Sequence, residues 1–209
     1  MNSTTTTPAN IIYFDLETTG LNQYHDKITD LCFMRENFRV RREPEKFQTL
    51  INPEKNISSF ITRLTGISNE MVINQPTFSQ VSSNLLNFIN GPNPNAYLIA
   101  HNGDGFDKII LRVHYKNLSP SINTNTFPWR TIDTLLMAKK LYPHFFKHNL
   151  KSLMEQLGLE KREAHRAEAD TLMLRDLYRK MCLDLAKNEK IGYEYVWNHP
   201  EYVWNYINN

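Results

Sequence analysis

The stretch Ile11-Ile12-Tyr13-Phe14-Asp15-Leu16-Glu17-Thr18-Thr19-Gly20-Leu21 sets an apolar, β-prone run directly against two acids. Four large apolar or aromatic residues in a row predict a strand buried on both faces. Asp15 and Glu17 stand two apart where that strand runs out, and residues i and i+2 of a strand point to the same face. Two carboxylates therefore converge at the end of a buried strand. An ionised pair in such a place is costly unless a cation neutralises it, and hard oxygen ligands suit magnesium or manganese. Two ordinary acids on a solvated strand end have the same spacing, and the pair alone does not separate the two readings.

Outward from this point, further strands are expected at 27–34 and 96–100, with 38–42 and 47–51 forming a third segment and its partner. Helices are expected at 58–64 and 68–72, around a turn at Gly66. The next is 78–89, opened by Thr77 and stopped by Gly91-Pro92. Others are expected at 107–118, from a cap at Asp133 or Thr131 to Leu141, at 149–157, and at 167–187. The last carries Leu174, Leu177, Met181 and Leu185 at helical spacing. Strands come first, and helices then alternate with one more strand. That order predicts an α/β fold with a mixed sheet.

The 209 residues, 41% hydrophobic and 22% charged, suffice for one globular domain with a real core. No stretch reaches the roughly 18 to 20 apolar residues of a membrane span. Residues 1–9 read as a polar, disordered lead without the basic and apolar regions of a secretion signal. Cys32 and Cys182 share no metal spacing, which points to a reducing, intracellular setting in the cytoplasm or nucleus. A net charge of +2 rules out nucleic-acid binding through a bulk basic field and leaves a local site. Gly103-Asp104-Gly105 is neither a P-loop nor a dinucleotide fingerprint.

Two more acids stand in telling places. Asp107 follows the apolar run at 97–100 and the segment His101-Asn102-Gly103-Asp104-Gly105-Phe106, close to the start of a helix. It is either a site acid or a helix cap. In Ala164-His165-Arg166-Ala167-Glu168-Ala169-Asp170, the final acid shares a helical stripe with Leu174, Leu177 and Met181, so it faces the core side and needs a partner. A metal is a good one. His165, just ahead of the helix, could act over the same site as a base; alone it would read as a cap or surface residue.

Taken together and in this order, Asp15-x-Glu17, Asp107, and His165 with Asp170 resemble the DEDDh 3′-to-5′ exonucleases of the ribonuclease H-like fold. The closer likeness is to the three-prime repair exonucleases. It rests on the opening stretch and on Lys27-Ile28-Thr29-Asp30-Leu31-Cys32, Leu64-Thr65-Gly66-Ile67-Ser68 and Ala100-His101-Asn102-Gly103-Asp104. It spans 11–187. Arg166-Ala167-Glu168-Ala169 in the third motif is nearer the bacterial members, and no proline-rich insert of the repair type is present.

The resemblance implies a mixed sheet flanked by helices, in an exonuclease domain of residues 10–187. It implies a metal-dependent 3′-to-5′ exonuclease that releases 5′-mononucleotides from single-stranded or frayed 3′ ends, DNA before RNA. Asp15, Glu17, Asp107 and Asp170 would hold two divalent cations, Mg2+ or Mn2+. His165 would take a proton from the attacking water. Leu21, Leu64 and Phe106 match residues that pack on the terminal base, although plain core packing accounts for them too, and equally well for Leu64. The backbone at Thr18 and Thr19 would meet the terminal sugar, and Arg166 a phosphate. The alternatives are a 3′-to-5′ exoribonuclease, an endonuclease of the same fold, and a non-catalytic nucleic-acid-binding adaptor. The repair-type members also raise a homodimer; no membrane partner is implied.

Beyond the domain, residues 188–209 hold a repeat, Glu194-Tyr195-Val196-Trp197-Asn198 recurring as Glu201-Tyr202-Val203-Trp204-Asn205, with Pro200 between the copies to interrupt or start a helix. So many aromatics are not expected to stay free in water. They are expected to pack back on the domain; an aromatic patch for a partner or a nucleic-acid strand is the other reading.

Overall fold

The apolar run of the opening stretch forms the middle of a five-stranded sheet. In the computed structural model, which describes residues 11–36, 43–91, 96–119, 129–162 and 166–209, β1 (Ile11–Thr18) pairs antiparallel with β2 (Ile28–Glu36). An edge strand, β3 (Glu45–Leu50), pairs antiparallel with β2. On the other side, β4 (Tyr97–Ala100) runs parallel to β1, and β5 (Arg130–Asp133) parallel to β4. The order is β3-β2-β1-β4-β5. The helices among the described residues are α1 (Ser59–Thr65), α2 (Asn69–Val72), α3 (Phe78–Asn90), α4 (Asp107–Leu118), α5 (Thr134–Leu141), α6 (Leu150–Gln156), α7 (Ala167–Asn188), α8 (Tyr193–Asn198) and α9 (Pro200–Asn208).

The twofold period of β1 sorts its side chains between two cores. Ile12, Phe14 and Leu16 face the α3 and α4 side, in a cluster with Leu31, Phe33, Leu85 and Ile110. Ile11 and Tyr13 face the α7 side, in a cluster with Met34, Leu174, Leu177 and Met181. Asp15 and Glu17 continue that second row. The row that is apolar under α7 turns acidic where β1 ends.

Local chemistry agrees with these elements. Ser58 caps α1 by accepting from the Ile61 N–H at 3.3 Å, and Gly66, at φ 72°, closes it in the left-handed conformation. The Gln80 side chain accepts from the Thr77 N–H at 2.8 Å at the start of α3. The expected segment 38–42 lies outside the described residues. The partner of the 47–51 run is β2, through Phe33 opposite Phe47.

One strand escaped the sequence reading. Residues 130–133 were assigned only a helix cap, yet they form β5. A four-residue edge strand with one exposed position and a capping acid as its last residue offers too few apolar alternations to register.

The two pentapeptide copies form separate helices, α8 and α9, with Pro200 at the first turn of α9. Both packed valines, Val196 and Val203, are fully buried. Trp197, 7% exposed, lies 5.8 Å from the Tyr178 ring centre and beneath the Arg179 guanidinium. Arg179 in turn pairs with Glu36, which accepts from the Tyr13 hydroxyl at 3.1 Å. Trp204 is only partly buried, under the Arg130 guanidinium. This asymmetry sets the prediction for the pair. Trp197→Ala should cost about 3 kcal/mol in urea unfolding, as large-to-small changes in a core do, and Trp204→Ala clearly less. Equal losses would mean that the two copies are equivalent in the fold.

Candidate active site

Three chain segments converge beyond the end of β1. Asp15 and Glu17 project from the strand itself. Asp170 arrives from the first turn of α7, whose apolar stripe is anchored beneath Ile11 and Tyr13. Each of these three acids places one carboxylate oxygen within 4.8 Å of the others. Asp107, the first residue of α4 and only 6% exposed, comes from the opposite side of the sheet. All four acids line one open cleft together with Leu21 and Phe106.

The loop between β4 and α4 is held from β5. Asp133 accepts from the Leu135 N–H at 2.9 Å, capping α5, and also from Asn102 N–H at 2.9 Å and Asp104 N–H at 3.3 Å. Thr131 donates to Asp104 at 2.5 Å, and Lys108 donates to Asp104 and Thr131, both at 2.8 Å. His101 Nδ1 lies 3.0 Å from the Thr134 hydroxyl. Close approach demands glycine at 103, where a Cβ would sit 2.4 Å from the Ala100 Cβ. Asp133 is the residue the sequence reading undervalued. Seen as a cap, it is also the post on which the loop carrying Asp107 is fixed.

Crowding the acids has an electrostatic consequence. Burial, followed by repulsion from Asp107, Asp170, Glu17 and Asp30, pushes Asp15 well above the carboxylate range. Burial and the charges of Asp170, Asp30 and Asp107 push Glu17 up to about 8, against a small opposing pull from Arg166. Burial pushes Asp107 up to about 7, restrained by its own N–H and that of Leu16. The cluster cannot hold its full negative charge near neutrality without a counter-charge. An all-oxygen donor set of this kind fits a hard divalent cation.

The other expected site residues distribute as follows. Leu21 is 86% exposed at the cleft, and Phe106 packs partly against the α3–α4 cluster. Thr18 and Thr19 are buried, and their hydroxyls donate to Gly20 O at 2.7 Å and Asp26 Oδ1 at 2.8 Å, while the Thr19 N–H donates to Lys27 O at 2.8 Å. Leu64 is exposed on α1 and is not among the cleft-lining residues. His165 lies outside the described residues. Arg166, immediately before α7, pairs with Asp30. Asp30 was visible in the sequence only as part of a motif; its opposition to Glu17 across the β1–β2 ladder becomes legible once the register is known.

This chain is similar to a set of bacterial replication proteins. It is 32% identical over 176 residues to the PolC-type DNA polymerase III of Bacillus subtilis (strain 168), covering 84% of this chain and 12% of that protein. It is 31% identical over 180 residues to the DNA polymerase III subunit epsilon of Pasteurella multocida (strain Pm70), covering 83% of this chain and 68% of the subunit. The chain thus spans about an eighth of the PolC-type relatives. Its fold matches exonuclease I with a TM-score of 0.71 at 19% identity, over 91% of this chain and 44% of the other. The match to E. coli exonuclease I in complex with a dT13 oligonucleotide has a TM-score of 0.68 at 17% identity, over 91% and 44%. The sequence profile of the exonuclease family RNase_T covers residues 12–178. With its acids in this order and its sheet in this arrangement, the chain belongs to that family, the DEDDh 3′-to-5′ exonucleases.

Proposed function

We propose that this chain is a metal-dependent 3′-to-5′ exonuclease domain that shortens single-stranded or frayed DNA ends to 5′-mononucleotides. The observation that carries the reading is the convergence of Asp15, Glu17 and Asp170 within 4.8 Å, with Asp107 in the same cleft. DNA is favoured over RNA because the relatives named above are DNA polymerase components and the fold match holds an oligodeoxythymidine. The domain proper is residues 10–187, and α8 and α9 serve it as structural cover.

Asp15, Glu17, Asp107 and Asp170 would hold two Mg2+ or Mn2+ ions, which when bound supply charge neutralisation and a more acidic water. The protein's own groups do the rest. His165 accepts the proton of the attacking water, a task suited to an imidazole that is neutral near pH 7. Backbone at Thr18 and Thr19 receives the terminal sugar. Leu21 and Phe106 offer apolar faces to the terminal base; Leu64, outside the cleft lining, is left without that role. Stacking is indifferent to sequence. Asp133 keeps the Asp107 loop in place and touches no reacting atom.

Digestion of 3′-labelled and 5′-labelled DNA and RNA oligonucleotides, with and without magnesium, tests the reading as a whole. A 3′ label should leave first, as a mononucleotide, and a chelator should stop the release. Circular single strands should survive; their cleavage would establish an endonuclease instead.

Alanine at Asp15, Glu17, Asp107 or Asp170 should each lower the rate by about a hundredfold or more, since each removes one donor from a shared cluster. Near-normal rates in any two of these variants would sink the assignment. His165→Ala should abolish most turnover and leave magnesium affinity, read by calorimetry, close to wild type. A loss of cation binding in that variant would make His165 a ligand and not a base.

The raised pKa values also predict a pH dependence for the chelator-treated protein. Glu17 at about 8 and Asp107 at about 7 lie above their ordinary values, so between pH 6.5 and 8 the folded state holds protons that the unfolded chain has released. Stability must therefore fall as pH rises through this window. His101, pushed down to about 4 by burial, opposes this at the low end of the window, where the unfolded imidazole is still partly protonated, and adds little slope towards pH 8. The melting temperature should drop from pH 6.5 to 8, Glu17→Gln should flatten the drop, and magnesium should stabilise more at pH 8. A level wild-type profile in chelator would contradict the electrostatics.

A further inference from the structure

A fifth acid stands at this end of the sheet and has so far been given no part in the chemistry. Asp30 is fully buried on β2, directly opposite Glu17 in the antiparallel ladder, so both side chains leave the sheet on one face. A buried carboxylate is unfavourable unless it is paired. Its partner is Arg166, whose Nε lies 3.5 Å from Asp30 Oδ2. The other carboxylate oxygen, Oδ1, is buried without a hydrogen-bond partner, so this one contact carries the pairing. Asp30 thus ties the entry of α7, and with it the turn bearing Asp170, to the strand next to Asp15 and Glu17.

The pairing is one-sided. Asp30 is sealed off, whereas the Arg166 side chain is 42% exposed. Among the described residues, Asp30 is the one carboxylate that pairs with Arg166. A guanidinium is a rigid fork of five donors, and a phosphate takes two of them at once. Held through Nε, the fork keeps its outer groups for solvent or a ligand. Its anchor is the residue across from Glu17 in the ladder, so this cation is held on the strand next to the one that bears the acidic pair. A polyanion whose end enters the cleft passes beside it.

We infer that Asp30 is a positioning residue for nucleic-acid binding: it grips Arg166 by the Nε edge and presents the outer N–H groups to a backbone phosphate of a single strand whose 3′ end lies in the cleft. The inference rests on the exonuclease reading proposed above. A second purpose for the pair, merely fastening α7, is separable by experiment.

The test measures binding of a 5′-labelled single-stranded DNA oligonucleotide at several salt concentrations, with calcium in place of magnesium, and steady-state digestion in magnesium. Arg166→Gln should weaken binding about tenfold at low salt and reduce the slope of log affinity against log salt by about 0.7, the share of one phosphate contact. Asp30→Ala should act in the same direction, raising KM more than it lowers kcat. Asp30→Asn keeps an oxygen in the same place and should recover most of the loss. Because Asp30 works through Arg166, the Asp30→Ala/Arg166→Gln double variant should bind no worse than Arg166→Gln alone. Arg166→Lys keeps the charge but lacks the edge that Asp30 holds, and should recover less than half of the affinity. This last comparison stands even if the Asp30 variants fail to fold. Unchanged affinity and slope in folded Arg166→Gln, or full recovery in Arg166→Lys, would overturn the inference while wild-type digestion upholds the exonuclease reading. A wild type that neither binds nor shortens the strand would bring down both.

Discussion

Mutual repulsion among carboxylates in a partly buried cleft is the constraint that shapes this molecule. Like charges a few ångströms apart move away from one another unless the chain that carries them cannot. Each acid is accordingly set on an element anchored elsewhere. Asp15 and Glu17 ride on the central strand, paired on both sides. Asp107 is fixed by the loop that Asp133 holds. Asp170 is carried by a 22-residue helix whose buried stripe includes Leu174, Leu177, Met181 and Leu185. The apolar contacts lie well away from the acids, and they supply the rigidity that the acids oppose.

α7 joins these tasks along one axis. Its start meets Asp30, its first turn faces the cleft, and Thr171 donates to its own helix at Ala167 O, 2.6 Å away. Its middle supports the sheet through Tyr178, edge-on to Tyr13, and through Arg179 on Glu36. Its far side receives Trp197 from α8. The aromatic tail therefore bears on the same helix that delivers Asp170, at a remove of several turns. A close-packed interior has low compressibility, so the tail braces the helix that carries Asp170 without touching the acids.

Much of this was legible in the sequence because its signals were periodic or local. The alternation in 11–17 placed the acids on one face, the spacing of Leu174, Leu177 and Met181 put Asp170 on the inward stripe, and Thr77, Ser58 and Asp133 marked helix starts. What was not legible is what depends on register between distant strands. β5 is too short to carry a pattern, so the second role of Asp133, holding Asn102 and Asp104, had no sequence signal. Asp30 faces Glu17 only because the β1–β2 ladder pairs them, with an irregularity one residue further on, between Glu17 and Thr18. Nor did the repeated pentapeptide announce that its two tryptophans differ in burial, since that follows from which of the two helices lies against α7.

On the proposed reading, the same electrostatics explains why so modest a net charge suffices for a protein acting on a polyanion. A cleft lined with four acids repels a phosphodiester backbone, and a broad basic surface would be needed to overcome that at long range. Cations bound by the acids reverse the local sign where the strand end must sit, so attraction is confined to the site and appears only when the chemistry is possible. Linkage then requires each ligand to strengthen the other: whatever the cation contributes to nucleic-acid affinity, the nucleic acid returns to cation affinity. Arg166, held by a buried partner that faces Glu17 across the ladder, is a fixed positive charge that does not depend on the cations. Leu21, exposed at the cleft, adds an apolar contact for a base. A small set of fixed groups around a switchable charge is enough to select a chain end over the uniform backbone behind it.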